Sequence, residues 1–273
     1  MGHNFAGTRR RAPRDDDGVD SWLEVPAAVL CAACGQADCP GCAVASEGES
    51  GVVAIVPWER AGGVWTRLWA TAIATTQGAE AFFAVLPDGE VPPAVRFALL
   101  AELLAVLSMA MLLIPLLALV QPGIALAVMQ SPSLRVSALR WIGLGVPALA
   151  LWMILAHVTH GAALDAGARR QGASASPRRA LRFGLYACGW DLMSGPLGAL
   201  MMLVTRGLGA ALEVAELAMR VPGRASTAFL SGIYHLPPDR MARARRSGSA
   251  AAAMLIVMAS AGVLAAVVVV VLA

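Results

Sequence analysis

A chain of 273 residues that is 58% apolar and only 14% charged is more hydrophobic than a soluble domain of this length needs to be. Its net charge of +3 hides an asymmetry, because residues 1–96 carry 7 Arg and 12 acidic residues, whereas residues 97–273 carry 14 Arg and 6 acidic residues. The Arg of the second part fall between apolar stretches. This pattern is typical of a membrane protein and argues against nucleic-acid binding.

The first residues of the chain are strongly charged. Residues 1–21 contain clusters of Arg and of Asp together with several Gly, a composition that predicts disorder. They lack the apolar core of a signal peptide, so we expect membrane insertion to depend on internal segments.

Residues 22–56 contain four of the five cysteines, within the stretch CAACGQADCPGC. Two Cys-x-x-Cys pairs present four thiolates to one ion, and zinc binds four such sulfurs in a tetrahedron at about 2.3 Å. The spacing therefore predicts a structural zinc knuckle whose ligands are Cys31, Cys34, Cys39 and Cys42. An iron–sulfur cluster and unligated redox thiols are the alternatives that the spacing leaves open.

Residues 57–96 are predicted to form an amphipathic helical region at the membrane surface. Apolar residues recur there at intervals of three and four positions, which lines one face of a helix. These residues are Trp65, Leu68, Trp69, Ala72 and Ile73. Tryptophan suits the headgroup region, because its ring is apolar while its N–H stays hydrated. The alternative is that this face packs against the protein's own membrane domain.

Residues 97–273 are predicted to form the membrane domain of an all-α polytopic protein. Three stretches in it are long and apolar enough to cross a hydrocarbon core, which needs roughly 20 apolar residues. They are residues 97–120, 141–160 and 250–273, and Glu102 is the only Asp, Glu or Arg within them.

A further apolar stretch is interrupted by Gly195-Pro196, where a helix is expected to break. It can be one crossing or two short helices. Arg-rich segments, residues 161–182 and 220–246, flank it, and short segments of this kind stay in the cytoplasm. Two crossings keep both segments inside. We therefore predict five transmembrane helices, with a cytoplasmic N-terminus, an external C-terminus and two short helices at residues 182–195 and 197–217.

The order of these features resembles a known family. PWE at residues 57–59 precedes WTRLWATAIATTQGAEAFFAVLP and the first membrane helix, and a basic loop then leads to LYACGWDLMSGPLG. Over about residues 57–272 the chain resembles the Yip domain family of Ypt/Rab-interacting polytopic membrane proteins, in particular bacterial members with a Cys-rich N-terminal piece. The resemblance implies about five membrane helices. Eukaryotic members resemble trafficking scaffolds that engage Rab GTPases and shape membranes, whereas bacterial members have no assigned activity, so the resemblance implies an architecture rather than a function.

Several polar residues lie inside the apolar stretches. Asp191 falls near the middle of the third predicted helix, where a charge costs roughly 2.5–3.5 kcal/mol, so we expect it to face other helices. Others are expected towards the cytoplasmic ends of their helices: Glu102, His157, His160, Glu213 and Glu216. Such residues can bind a metal or relay protons, but interhelical hydrogen bonds are the preferred interpretation. The lone Cys188 is interpreted as a packing residue.

These features together predict a non-enzymatic scaffold in the bacterial inner membrane. The lipid bilayer is its main partner, and we expect a cytoplasmic protein partner to bind through the zinc-containing head. The alternative is a small transporter or channel-like protein that uses Asp191 and the His and Glu residues. An intramembrane enzyme is a third class, but the sequence contains no His-Glu-x-x-His, Gly-x-Ser-x-Gly or Walker motif to support it.

Overall fold

The computed structural model describes residues 56–246, the backbone of residues 29–31 and 52–54, and a few helical positions between 250 and 262. Two short strands, β1 (Val29–Cys31) and β2 (Val52–Ala54), pair antiparallel with Val29 opposite Ala54. The rest of the described chain is dominated by helices, which confirms the all-α prediction. The terminus at 1–21, the side chains of the zinc knuckle and most of the predicted helix 250–273 lie outside the described residues.

Within the described residues, a 3₁₀ turn (Pro57–Glu59) precedes a series of helices. They are α1 (Val64–Thr76), α2 (Ala79–Ala84), α3 (Val91–Val120), α4 (Pro122–Gln130), α5 (Pro132–Arg170), α6 (Pro177–Ala187), α7 (Gly189–Ser194), α8 (Pro196–Ala218) and α9 (Val221–Tyr234). Residues 238–246 are also helical. Four helices begin at a proline, which has no N–H to leave unpaired in the first turn and has a backbone angle suited to a helix start.

The middle of the chain forms an apolar arm, residues 107–149, made of the second half of α3, all of α4 and the first half of α5. None of its residues is buried, although most of them are large and apolar; Leu119, for example, is 80% exposed. Two of the three helices that are long and apolar enough to cross a membrane pass through this arm, namely α3 and α5. The arm therefore confirms the membrane character of the chain.

Apart from α8, the remaining described helices form a compact body, residues 56–106, 150–195 and 221–246. Its core is a cluster of aromatic side chains around α6, in which the rings of Phe83 and Phe229 each lie 4.6 Å from the ring of Phe183. Helices α5 and α6 approach closely because Gly161 leaves no side chain between them. A Cβ at this position would lie 2.3 Å from the carbonyl oxygen of Ala180.

Helix α8 is broken. Gly207 has a φ of 85° and a ψ of 177°, a conformation that side chains other than glycine rarely adopt. Although Pro196–Val214 qualifies by length and composition as a third candidate span, each straight half has only about 11 residues and a length of about 16 Å. A hydrocarbon core is about 30 Å thick, so neither half crosses it alone. Both halves return to the body, where Met202 and Val214 are each 3% exposed.

The sequence predicted five spans, whereas the described residues contain three candidates. Helix α3 includes the predicted residues 97–120 and begins six residues earlier, and α5 extends the predicted 141–160 at both ends. The predicted helix 182–195 requires correction. It is two short helices, α6 and α7, inside the body, because the Arg182 side chain is fully buried there and the apolar faces pack on protein.

Two other predictions concern surfaces of the body. In α1, Leu68 and Ala72 are fully buried while Trp65 is 57% exposed, so this helix packs on the body and still presents one indole ring outwards. The two Arg-rich segments meet at one end of the body. There Arg240 donates to the backbone oxygen of Gln171 at 3.3 Å, and Arg243 donates to its side-chain oxygen at 3.0 Å.

Candidate functional site

Three of the predicted polar residues meet where α3, α5 and α7 join. Nε2 of His157 on α5 lies 2.9 Å from Oδ2 of Asp191 on α7 and 3.6 Å from Oε1 of Glu102 on α3. The thiol of Cys188, between α6 and α7, completes the group, because its sulfur, a Glu102 oxygen and a His157 nitrogen all lie within 4.8 Å of one another. We call these four residues the polar cluster.

Small residues on α3 explain why the cluster can form. Ala98, Ala101 and Ala105 are buried with Glu102 on one face of the helix, at the spacing of successive turns. Their short side chains let neighbouring helices come close, as small residues do at helix interfaces in membranes. Glu102 is therefore carried into the contact between helices rather than towards lipid.

The break between α6 and α7 places the other two members of the cluster. Helix α6 ends at Ala187, and Cys188 is the cap from which the short α7 starts. Trp190 anchors α7 by donating its indole N–H to the backbone oxygen of Thr75 at 2.8 Å. Because this hydrogen bond fixes the position of α7, Cys188 lies towards α3 and Asp191 lies towards α5.

Burial within the cluster is uneven. Glu102 and Cys188 are fully buried, whereas the side chains of His157 and Asp191 are 15% and 29% exposed. Both carboxylate oxygens of Glu102 are buried without a hydrogen-bond partner. A buried polar group in that state costs about 1–3 kcal/mol, and a charged one costs more. The cluster therefore has a fully buried acceptor, Glu102, at its inner end and a partly exposed pair, His157 and Asp191, at its outer end.

The cluster brings together two carboxyl groups, one thiol and one imidazole, so acidic groups outnumber the basic one. Burial raises the pKa of the Cys188 thiol well above its ordinary value, and the nearby Glu102 and Asp191 carboxyl groups raise it further. In this state the thiol is neutral and contacts the backbone oxygen of Gly184 at 3.8 Å. Protons shared between the carboxyl groups and the imidazole, or a bound cation, can balance such a site.

The structure places the other candidate residues elsewhere. His160, one turn beyond His157, bonds to the hydroxyl of Ser226 at 3.0 Å. Glu213 and Glu216 are exposed on the second half of α8, and Glu216 pairs with Arg220 at 2.8 Å. Asp191 contacts other helices as predicted, but it lies on a six-residue helix of the body rather than in the middle of a membrane span.

Sequence reasoning identified Glu102, His157 and Asp191 but did not include Cys188 in their site. In the sequence, the feature that links Cys188 to this site is its position three residues before Asp191. Of the predicted zinc ligands, only the backbone of Cys31, at the end of β1, is described.

The PWE turn of the predicted family resemblance has a structural role. Arg182, fully buried, donates to Oε1 of Glu59 at 2.8 Å and to the backbone oxygen of Glu90 at 2.9 Å. Tyr186 donates to the same Glu59 oxygen, and burial together with this bond raises the pKa of Tyr186. Trp58 donates to the backbone oxygen of Pro93 at 2.7 Å. This turn fastens the start of α3 to α6.

Comparison with models of protein families, with curated proteins and with solved structures finds no match to the chain. The fold and site therefore define only a class: a helical protein with membrane-compatible helices and a buried polar cluster where its arm joins its body. The resemblance to the Yip domain family stays a prediction.

Proposed function

We propose that the chain is a non-enzymatic organising protein of the Yip type, which inserts its apolar arm into a bilayer and holds its body at the membrane surface. The observation that carries this proposal is the division of the described chain into an arm without buried residues and a compact body. Burial of each large apolar side chain of the arm in lipid is favourable by about 1.5–3 kcal/mol, so the arm is a strong anchor.

The shape of the arm favours an organising role over transport. Residues 107–149 form two long helices joined by α4, and their side chains are exposed around the whole circumference. By themselves, these two described helices enclose no pathway. The polar cluster lies at the base of the arm, whereas Glu213 and Glu216 are exposed on α8, where Glu216 pairs with Arg220. These observations support the scaffold over the transporter.

The charges of the body support a cytoplasmic orientation. The Arg-rich segments 161–182 and 220–246 meet at Gln171, so a single crossing does not separate them. Positively charged segments next to membrane helices remain on the cytoplasmic side. We therefore propose that the body and the N-terminal head face the cytoplasm of a bacterial cell, where thiols remain reduced and can bind zinc.

The head is proposed to hold one structural zinc ion and to bind a protein partner. Strand β1 ends at Cys31 and pairs with β2, which begins at Val52 beyond the last ligand, Cys42. The paired strands bring together the two ends of the segment that contains all four thiols. A metal bound within it supplies folding energy that so small a segment lacks.

Orientation can be tested by thiol labelling in intact cells, in a variant whose native cysteines are replaced. Ser174→Cys and Asp239→Cys, both on the basic end of the body, should be protected from a membrane-impermeant reagent. Gln130→Cys, at the tip of the arm, should react. Protection at position 130 with labelling at 174 and 239 would place the body outside the cell and contradict the proposal.

The scaffolding role can be tested by crosslinking in the native membrane and purification of the full-length chain. We expect a reproducible protein partner that is lost when residues 22–56 are removed, while the shortened chain stays in the membrane. Reconstituted protein should carry no proton or metal flux above that of empty liposomes. A flux that Asp191→Asn abolishes would instead establish the transporter.

A further inference from the structure

We propose that Glu102, His157, Cys188 and Asp191 bind one divalent transition-metal ion of the zinc type. This site goes beyond the organising role and is separate from the cysteine motif of the head. Glu102 lies on α3 and His157 on α5, the two helices that continue into the arm. Cys188 and Asp191 lie at the start of α7 and on it, so a metal here would fasten the bases of the two arm helices to α7.

The distances within the polar cluster suit a metal. Ligands bonded to tetrahedral zinc at about 2.0–2.3 Å lie about 3.3–3.8 Å from one another. Oε1 of Glu102 and Nε2 of His157 are 3.6 Å apart, which is within this range and too long for a good hydrogen bond. The Cys188 sulfur lies within 4.8 Å of both residues' ligand atoms, so small side-chain rotations bring three donors around one ion.

The unsatisfied carboxylate of Glu102 is the second and independent observation. The side chain is fully buried, and neither of its oxygens has a partner at good hydrogen-bond geometry, although the Cys188 and Asp191 side chains lie beside it. If Glu102 served only to pack the helices, the fold would be more stable with these oxygens hydrogen-bonded or with an apolar residue at this position. A cation bound between Glu102, His157 and Cys188 removes this cost.

The types of ligand atom in the polar cluster favour zinc over magnesium and calcium. One imidazole nitrogen, one sulfur and carboxylate oxygens are typical zinc ligands, and thiolate disfavours magnesium and calcium, which take oxygen ligands. The ion stabilises the thiolate of Cys188, whose proton is released on binding.

The exposed pair gives the ion a route to the site. Asp191 and His157 are partly exposed, whereas Glu102 and Cys188 are not, so the ion arrives between the outer residues. Without metal, Nε2 of His157 and Oδ2 of Asp191 share a hydrogen bond of 2.9 Å. On binding, the ion replaces this hydrogen bond, the proton that formed it leaves to water, and Asp191 becomes the fourth ligand.

Cobalt(II) provides a direct test, because its bond to a thiolate produces a charge-transfer band. The full-length chain with Cys31, Cys34, Cys39 and Cys42 replaced by Ser leaves Cys188 as the only thiol. We expect it to bind one Co²⁺ with this band and with tetrahedral ligand-field absorption. Cys188→Ser should abolish the band, and His157→Ala should weaken binding by more than about 10-fold.

His160→Gln is the matched control, because His160 lies on the same helix one turn away and bonds to Ser226 instead. It should bind Co²⁺ as the parent does. If it loses binding as His157→Ala does, the loss reflects damage to α5 and the proposal fails. The proposal also fails if the parent binds no Co²⁺, or if the band survives Cys188→Ser.

Thermal unfolding separates ligation from a structural role of Glu102. Saturating Zn²⁺ should raise the Tm of the chain that lacks the four head cysteines, because a ligand that binds only the folded state stabilises it. Glu102→Gln should unfold without metal at the same temperature as this parent or higher, and Zn²⁺ should not raise its Tm. An equal rise in both chains would overturn the proposal. The result does not depend on whether the chain has a scaffolding partner.

Discussion

Helix α5 is one continuous helix whose two halves have different surroundings. Its first half, residues 132–149, has no buried residue, whereas residues 150–170 include buried Ala150, Ala156, Gly161 and Leu164. The first half carries large apolar residues that suit lipid. The second half carries small residues at its contacts with α6, together with His and Asp side chains that bond to neighbouring helices. Apolar character alone therefore does not distinguish a lipid-facing helix from a protein-facing one, but residue size and polar partners do.

The largest effect is expected from removing Arg182, the buried cation that holds the helices of the body together. Arg182→Ala leaves the Glu59 carboxylate, whose side chain is 23% exposed, without its ion pair, and such a change costs about 3–5 kcal/mol of unfolding free energy. Arg178→Ala, on the exposed side of the same helix, should cost less than about 0.5 kcal/mol. Unfolding in detergent, followed by circular dichroism, measures both. Equal stability of the two variants would mean that Arg182 does not hold the body.

A second pair of substitutions compares packing in the two halves of α5. Leu164 is fully buried and Leu149 is 49% exposed. Leu164→Ala leaves a cavity and should lower the unfolding free energy by about 2–5 kcal/mol. Leu149→Ala changes only contacts with detergent or lipid, so its effect should stay below about 0.5 kcal/mol. The same unfolding measurement applies, and a large loss in Leu149→Ala would place the arm against protein rather than lipid.

Glycine substitutions give the smallest and most local comparison. In Gly161→Ala the new Cβ would meet the Ala180 carbonyl, and the resulting separation of α5 from α6 should destabilise the body by about 1–3 kcal/mol. In Gly143→Ala nothing lies within 4 Å, so higher helix propensity should stabilise the chain by up to about 1 kcal/mol. Opposite shifts of Tm are the expected result. Shifts of the same sign would show that α5 is not divided between two environments.

The part of the fold that follows from hydropathy could be predicted from the sequence. Helices α3 and α5 were located because long apolar runs that lack charge have few other stable structures. Helices α6 and α7 begin a stretch that its overall apolar character and the Arg-rich segments on both sides assign to the membrane. Their place in the body depends on the pairing of Arg182 with Glu59, 123 residues earlier in the chain, and no local pattern predicts this contact.

The sequence predicts individual residues of the candidate site but not that they meet. Glu102, His157 and Asp191 were conspicuous because polar groups in apolar stretches need partners. Their convergence depends on the break at Cys188, which turns α7 towards α5. His157 and His160 were grouped together, although three residues place them about 60° apart around a helix, and this rotation is enough to give them different partners.

The continuity of α3 and α5 gives the molecule a mechanical property. Glu102 lies five residues before the arm and His157 lies eight residues after it, so the separation of these two side chains depends on the angle between the helices within the bilayer. A thinner bilayer tilts such helices, as hydrophobic mismatch requires. Each helix has one proline beyond its first turn, Pro115 in α3 and Pro147 in α5, both inside the arm, and neither helix has a proline between that position and the polar cluster. A change in the tilt of the arm within the bilayer therefore changes the separation of Glu102 and His157 at its base.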